Sequence, residues 1–164
     1  MSLMSLIRIF TVGGTIDKIY FDAKSSYEVG PPNITEVLSG LSLNLDYDVV
    51  SLMQKDSLEM TDADREAVRQ AVSETIEDMI IITHGTDTMT NTAKGLSDIP
   101  DKTIVLTGAL SPALFKNSDA MFNIGAAFTA VQTKPAGVYI AMNGVIFDHD
   151  KVRKDVENNK FVAL

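Results

Sequence analysis

Four side chains capable of chemistry stand just beyond apolar runs. "TVGGTIDK" places Thr15 after a glycine pair, "MQKDSLEMT" places Ser57 after a β-branched stretch, and "ITHGTDTMT" places Thr86 and Asp87 after a single glycine. A hydroxyl acts as a nucleophile only when something takes its proton. The chain has two histidines, His84 and His149, and no cysteine. The proton acceptors on offer are therefore Asp87, a lysine of depressed pKa, or a tyrosine in the polar stretch after Gly14. Each residue also has a plainer use. Thr86 and Thr88 can cap a following helix, and the helix macrodipole favours Asp87 near its N-terminus. The Gly13–Gly14 pair also suits a phosphate or nucleotide, although the full G-x-G-x-x-G spacing and a Walker lysine are missing. His84 suits a packing role, and the eight methionines suit core filling.

The elements that must carry these residues alternate between strand and helix. Continuous apolar, β-branched runs predict buried strands over Leu6–Val12, Tyr47–Met53, Met79–Thr83, Lys102–Leu110 and Ala136–Gly144. Helical spacing predicts a short helix from Asn33, capped by Asn33 or Thr35. A second begins at Thr61 with Asp64 completing a near capping box and Ala67, Val68, Ala71, Val72 and Ile76 as its apolar face. Asn91–Leu96 belongs to a third, and a fourth starts near Ser118. The polar stretch from Thr15 to Pro32 reads as a long functional or mobile loop. "HDKVRKDVENNKF" reads as an exposed, charged terminal segment. Alternating apolar strands and helices give a three-layer α/β/α domain with a mainly parallel, flavodoxin-like sheet. In such a sheet ligands bind beyond the carboxyl ends of the strands, where strand order reverses. Thr15, Ser57, Thr86 and Asp87 should meet on that edge.

Bulk properties narrow the function. With 164 residues, 45% of them hydrophobic, and mean hydropathy +0.10, the chain suits one domain with a proper core. A formal charge of −8 argues against nucleic acid as a partner, because a phosphate backbone needs a basic footprint. No apolar run approaches the ~18 residues of a membrane helix, and no secretory leader is evident, so a cytoplasmic setting without membrane partners is expected. Without cysteine there is no disulfide, no thiolate nucleophile and no zinc–cysteine site. Met1-Ser2-Leu3 repeats as Met4-Ser5-Leu6, which reads as an added leader with Met4 the natural start.

The ordered pair "TVGGTIDK" and "ITHGTDTM" resembles the bacterial L-asparaginases of types I and II. "DSLEMTDAD", "LTGALSPALFKNSDAMFNIGAAFTAV" and "GVYIAMNGVIFD" resemble the segments between and after them, so the likeness runs from about Leu6 to Lys154. It implies an amidohydrolase that frees ammonia from the side-chain amide of asparagine through an acyl-threonine, with no metal or organic cofactor. On this resemblance Thr15 is the nucleophile and Tyr27 its support. Thr86, Asp87 and Lys154 form a second triad, with Asp87 also pairing with the substrate ammonium. Ser57 holds the substrate carboxylate, and Gly14, Leu58 and Gly85 line the substrate site.

The pattern departs in three places. Val12 stands where relatives usually have Thr, and Leu58 where they often have Gln or Ser, which removes two polar groups. The chain also ends at Leu164, about where a linker to a second domain should begin, so residues 1–164 are expected to be a single N-terminal-type domain without the family's C-terminal one. Alternatives follow: a weak or inactive homologue that binds a small amino acid, or an assembly module. Relatives associate, so a homodimer or higher homo-oligomer is expected. Phe122 and Phe128 face either a partner or the sheet.

Overall fold

The computed structural model describes residues 6–164, so the expected leader, Met1-Ser2-Leu3, and the expected start at Met4 lie outside the described residues. Strand β1 (Ile7–Gly13) runs into a 3₁₀ turn, Thr15–Asp17, and then into a hairpin of β2 (Lys18–Phe21) and β3 (Ser26–Val29). The long loop expected after Gly14 is thus structured: its Tyr, Phe and Val residues pair across two short strands. Helix α1 (Ile34–Ser39) follows. Asn33 precedes it, but neither Asn33 nor Thr35 caps it; instead the Asn33 N–H donates to Asp17 Oδ1 at 2.9 Å.

Next come β4 (Tyr47–Lys55), α2 (Asp62–Glu74), β5 (Met79–Thr83), α3 (Met89–Lys94), β6 (Thr103–Thr107) and α4 (Ala120–Thr133). Thr61 and Asp64 form the full capping box on α2, an arrangement worth about 1 kcal/mol. The buried face of α2 is narrower than its sequence suggests. Val68 and Val72 are buried, whereas Ala67 is exposed and Ile76, beyond the helix end, is 94% exposed.

Strands β4-β1-β5-β6-β7 are parallel, with β7 (Gly137–Met142) bordered by the antiparallel β8 (Val145–Asp148). Alternation along β5 divides the core between the two faces. Ile80 and Ile82 pack with Val68, Val72 and Met89, while Ile81 packs with Ile34, Ile124 and Phe128. Each such buried aliphatic side chain contributes roughly 1.5–3 kcal/mol. Order reverses at β1: the chain goes out to β4, then returns to β5 on the other side. The switch point therefore lies between β1 and β5.

The charged terminal segment is folded. It forms the hairpin β9 (Val152–Asp155) and β10 (Lys160–Ala163). Val152 and Phe161 anchor it in the core, and the Phe161 N–H donates to Asn143 Oδ1 at 2.7 Å. Charge on one side of a short hairpin hides these two anchors from a composition-based reading. The two phenylalanines of α4 divide: Phe128 is buried edge-on to Tyr47, whereas Phe122 is 65% exposed beside an apolar groove with Gly125 and Ile146. Among the described residues no helix is long and apolar enough to cross a membrane.

Candidate active site

Glycines bring the strand-end turns together. Gly13 and Gly14 have φ of 118° and 91°, a region that side chains resist. A β-carbon on Gly14 would lie 2.4 Å from Gly85 Cα, and one on Gly85 would lie 2.6 Å from Ser57 Cβ. The turns after β1 and β5 are therefore stacked backbone against backbone, and the turn after β4 lies against them through Ser57. Thr15, Ser57 and Thr86, each at a contact point or one residue from it, gather around the β1–β5 switch point, as the strand reading requires.

The turn after β5 is densely bonded. Lys154 Nζ donates to Thr86 Oγ1 at 2.7 Å and to Asp87 Oδ1 at 2.8 Å. Lys154 reaches them from β9 with its side chain only 15% exposed. Asp87 is 39% exposed, so solvent screens this ion pair and it adds about 1 kcal/mol or less to stability. Its geometric effect is larger. The ammonium occupies a lone pair of Thr86 Oγ1 and leaves that hydroxyl's own proton free to point elsewhere. Neither threonine caps α3: Thr86 accepts from Lys154, and Thr88 Oγ1 donates to the Ser57 carbonyl at 2.9 Å, tying the β5 and β4 turns together.

Beneath this turn His84 is fully buried. Nδ1 lies 2.7 Å from the Gly85 carbonyl and Nε2 lies 2.7 Å from Thr92 Oγ1. A carbonyl only accepts, so Nδ1 carries the proton and Nε2 accepts from Thr92. Burial pushes the His84 pKa down to about 4, which keeps the ring neutral. The packing role read for His84 holds, with a polar function added: the ring fixes the Gly85 carbonyl. The loop after β6 is fixed similarly. Asp119 accepts from the Leu110 and Ser111 N–H groups, and Asn123 Nδ2 donates to the Gly108 carbonyl at 2.9 Å.

The turn after β1 is bare by comparison. The Thr15 side chain is half-buried and makes no hydrogen bond among the described residues. Ser57 Oγ is buried and unpartnered among the described residues, a polar atom that the neighbouring side chains leave unsatisfied. Tyr27 is 48% exposed on β3, its ring 5.5 Å from that of Phe115 and edge-on to it. It lines an open hollow of about 370 Å³ with Lys18, Gln54, Asp56 and Glu59, next to the Ser57 turn. Leu58 is 72% exposed, its N–H bonded to Asp56 Oδ1, and presents an apolar side chain to solvent. No group of three or more potential metal ligands occurs among the described residues.

Sequence reasoning missed Asp17, Thr92, Asp119 and Asn123. Asp17 left the signal of an acid inside a turn that must pack closely under two glycines, and Asp119 and Asn123 stand in the Ser-Asp and Phe-Asn steps of the stretch quoted for the family resemblance.

Residues 6–163 match the asparaginase N-terminal family. The chain belongs to that family. It is 31% identical to L-asparaginase 2 of Escherichia coli over 160 residues, which is 90% of this chain and 46% of that protein. It is 30% identical to the glutaminase-asparaginase of Acinetobacter glutaminasificans over 125 residues, 70% of this chain and 38% of that one. The thermostable L-asparaginase of Thermococcus kodakarensis superposes with a TM-score of 0.85 at 27% identity, covering 97% of this chain and 51% of that structure. The chain thus spans about half or less of the length of these relatives.

Proposed function

We propose that this asparaginase-family chain is an amidohydrolase that cleaves the side-chain amide of L-asparagine, or a related small amide, through an acyl-threonine. The observation that carries this reading is the Gly14–Gly85 contact. It packs the turn that carries Thr15 against the turn that carries Thr86 and Asp87, which Lys154 bonds from a distant part of the chain.

In this reading Thr15 Oγ attacks the amide carbon. Backbone N–H groups of the neighbouring turns stabilise the oxyanion, at roughly 3 kcal/mol per donor. The Thr15 proton passes to the amide nitrogen, the C–N bond breaks and ammonia leaves. Water then attacks the ester, returns a proton to Thr15 Oγ, and the acid departs. Tyr27 supports the Thr15 side, and Thr86, polarised by Lys154, offers its proton on the other. Asp87 draws the substrate ammonium, and the unpartnered Ser57 hydroxyl holds its carboxylate. No step calls for a metal or organic cofactor.

The exposed Leu58 and the hydroxyl lost at Val12 support a second reading, a binding module that retains the pocket with little turnover. One comparison separates the two: ammonia release from L-asparagine, L-glutamine and simple amides by the wild type, Thr15→Ala and Thr86→Ala. The hydrolase reading expects Thr15→Ala to lose roughly four orders of magnitude or more of kcat. Equal release by all three proteins removes the assigned roles, and aspartate binding without turnover establishes the second reading. Association of two copies across the Phe122 groove also belongs to this proposal. Light scattering that finds only monomer at micromolar concentration would remove it.

A further inference from the structure

Asp17 is a buried carboxylic acid that the proposed chemistry does not use. It is 2% exposed, and burial pushes its pKa up to about 7 despite the Asn33 N–H that favours the anion. Such a group costs stability unless it accomplishes something an apolar residue cannot. Its one side-chain bond, added to two main-chain bonds that any residue here would make, shows what that is. Its own N–H donates to the Gly14 carbonyl at 3.1 Å, its carbonyl accepts from the Gly30 N–H at 2.8 Å, and its Oδ1 accepts from the Asn33 N–H at 2.9 Å. One residue therefore joins the Thr15 turn to the far end of the β2–β3 arm, and both ends of that arm are fastened at one point.

The arm needs this fastening. Among the described residues β2 and β3 pair only with each other and with no strand of the six-stranded sheet, and a lone two-stranded ribbon is marginal in water. The remaining ties to the body are side-chain contacts, Tyr27 against Phe115 and Lys18 3.5 Å from Asp56, while Tyr20 against Tyr27 at 5.2 Å braces the arm internally. The arm's orientation gives the clamp its consequence. Val29 packs on the Gly13 backbone, 3.1 Å from where a β-carbon would sit. Tyr27, two residues away on the same strand, shares that face.

We infer that Asp17 is a positioning residue, whose carboxylate clamps the base of the β2–β3 arm and so holds Tyr27 on the Thr15 side of the pocket. A simpler role as acceptor for the first turn of α1 accounts for the Asn33 bond alone. It leaves out that this one carboxylate bond links the residue just before β2 to a residue just after β3, and so spans the arm whose Val29 and Tyr27 share a face. The positioning part rests on the amidohydrolase reading, whereas the clamp itself does not.

Hydrogen exchange and side-chain NMR of the whole chain test it without relying on turnover. Asp17→Ala removes the acceptor and Asp17→Asn keeps Oδ1. Asn33→Pro removes the donor at a residue whose φ of −91° is near proline's range. The expected result is exchange of the 18–33 amides faster by roughly tenfold or more in Asp17→Ala and Asn33→Pro, the size of one lost buried hydrogen bond. The β5 and β6 amides should be unchanged, the Tyr27–Phe115 contact weakened, and Asp17→Asn close to wild type. If the protein turns over amides, kcat should fall with the loosened arm and recover in Asp17→Asn, with KM moving less. Unchanged arm exchange in Asp17→Ala, or loss in Asp17→Asn equal to that in Asp17→Ala, overturns the clamp. If Asp17→Ala does not fold, Asn33→Pro and Asp17→Asn decide by the same criteria. A loosened arm with unaltered kcat overturns the positioning role. A wild type that releases no ammonia sinks the amidohydrolase reading and the positioning role that rests on it, while the exchange data still decide the clamp.

Discussion

The two halves of the pocket are prepared differently. After β5, every polar side chain from His84 to Thr88 has a place: His84 between Gly85 and Thr92, Thr86 and Asp87 on Lys154, Thr88 on the Ser57 carbonyl. After β1, the Thr15 side chain has no hydrogen bond among the described residues, and Tyr27 rides on a ribbon outside the main sheet. A fixed half can orient a substrate without reorganising. A loosely tethered half can admit the substrate and then close. The contrast implies that substitutions after β5 act on geometry already present, while those after β1 act on how often that geometry is completed.

The sharpest way to break this contrast is to push the halves apart. Gly14→Ala puts a methyl group into the Gly85 backbone at a positive φ, so it should cost several kcal/mol (about 2–4) and abolish binding of aspartate. A urea midpoint and aspartate affinity equal to wild type would mean that the two turns are not in contact. Lys154→Met comes next. It strips Thr86 and Asp87 of their shared donor but leaves a stem of similar length, so stability should fall by about 1 kcal/mol while kcat falls roughly a hundredfold. Loss of stability without loss of rate would reduce Lys154 to a structural tie.

The effect that is smallest per step of the variable changed concerns pH, where the halves oppose one another. His84 has a folded pKa of about 4 against an ordinary 6.5, so its contribution is present above 6.5 and is lost as pH falls through 4. Asp17 has a folded pKa of about 7 against an ordinary 3.8. Its contribution is complete below 3.8 and is lost as pH rises through 7. Between about pH 4 and 7 the two slopes partly cancel. Asp17→Asn should remove one of them, so that stability rises more steeply with pH, by up to about 1.4 kcal/mol per unit. Urea midpoints of the two proteins that run parallel across this window would show that Asp17 titrates alike folded and unfolded.

Much of this was legible in the residues. The five parallel strands showed as β-branched apolar runs, because strands covered on both faces need no alternation. The meeting of Thr15, Ser57 and Thr86 followed from the rule that such sheets place their chemistry beyond strand ends. What stayed hidden depended on long-range partners. The β9–β10 hairpin is anchored by Val152 and Phe161 amid charges, a pattern that averages to exposed coil. Thr86 has the residue type of a helix cap, yet its side-chain partner, Lys154, lies far away in sequence, and Asn33 sits at the N-cap position of α1 without its side chain capping it. Ile76 looked like a helical-face residue, but α2 stops before it.

Lys154 and Thr86 are 68 residues apart in the chain. Their bond closes a long loop, and the entropy of that closure must be met by other contacts before the bond can form. The hairpin that carries Lys154 joins the sheet through buried side chains and one Asn143 tether. The pocket should therefore be among the last features to assemble during refolding. Return of ligand binding should lag behind return of helix signal, which makes binding a stricter gauge of native structure than spectroscopy of the backbone.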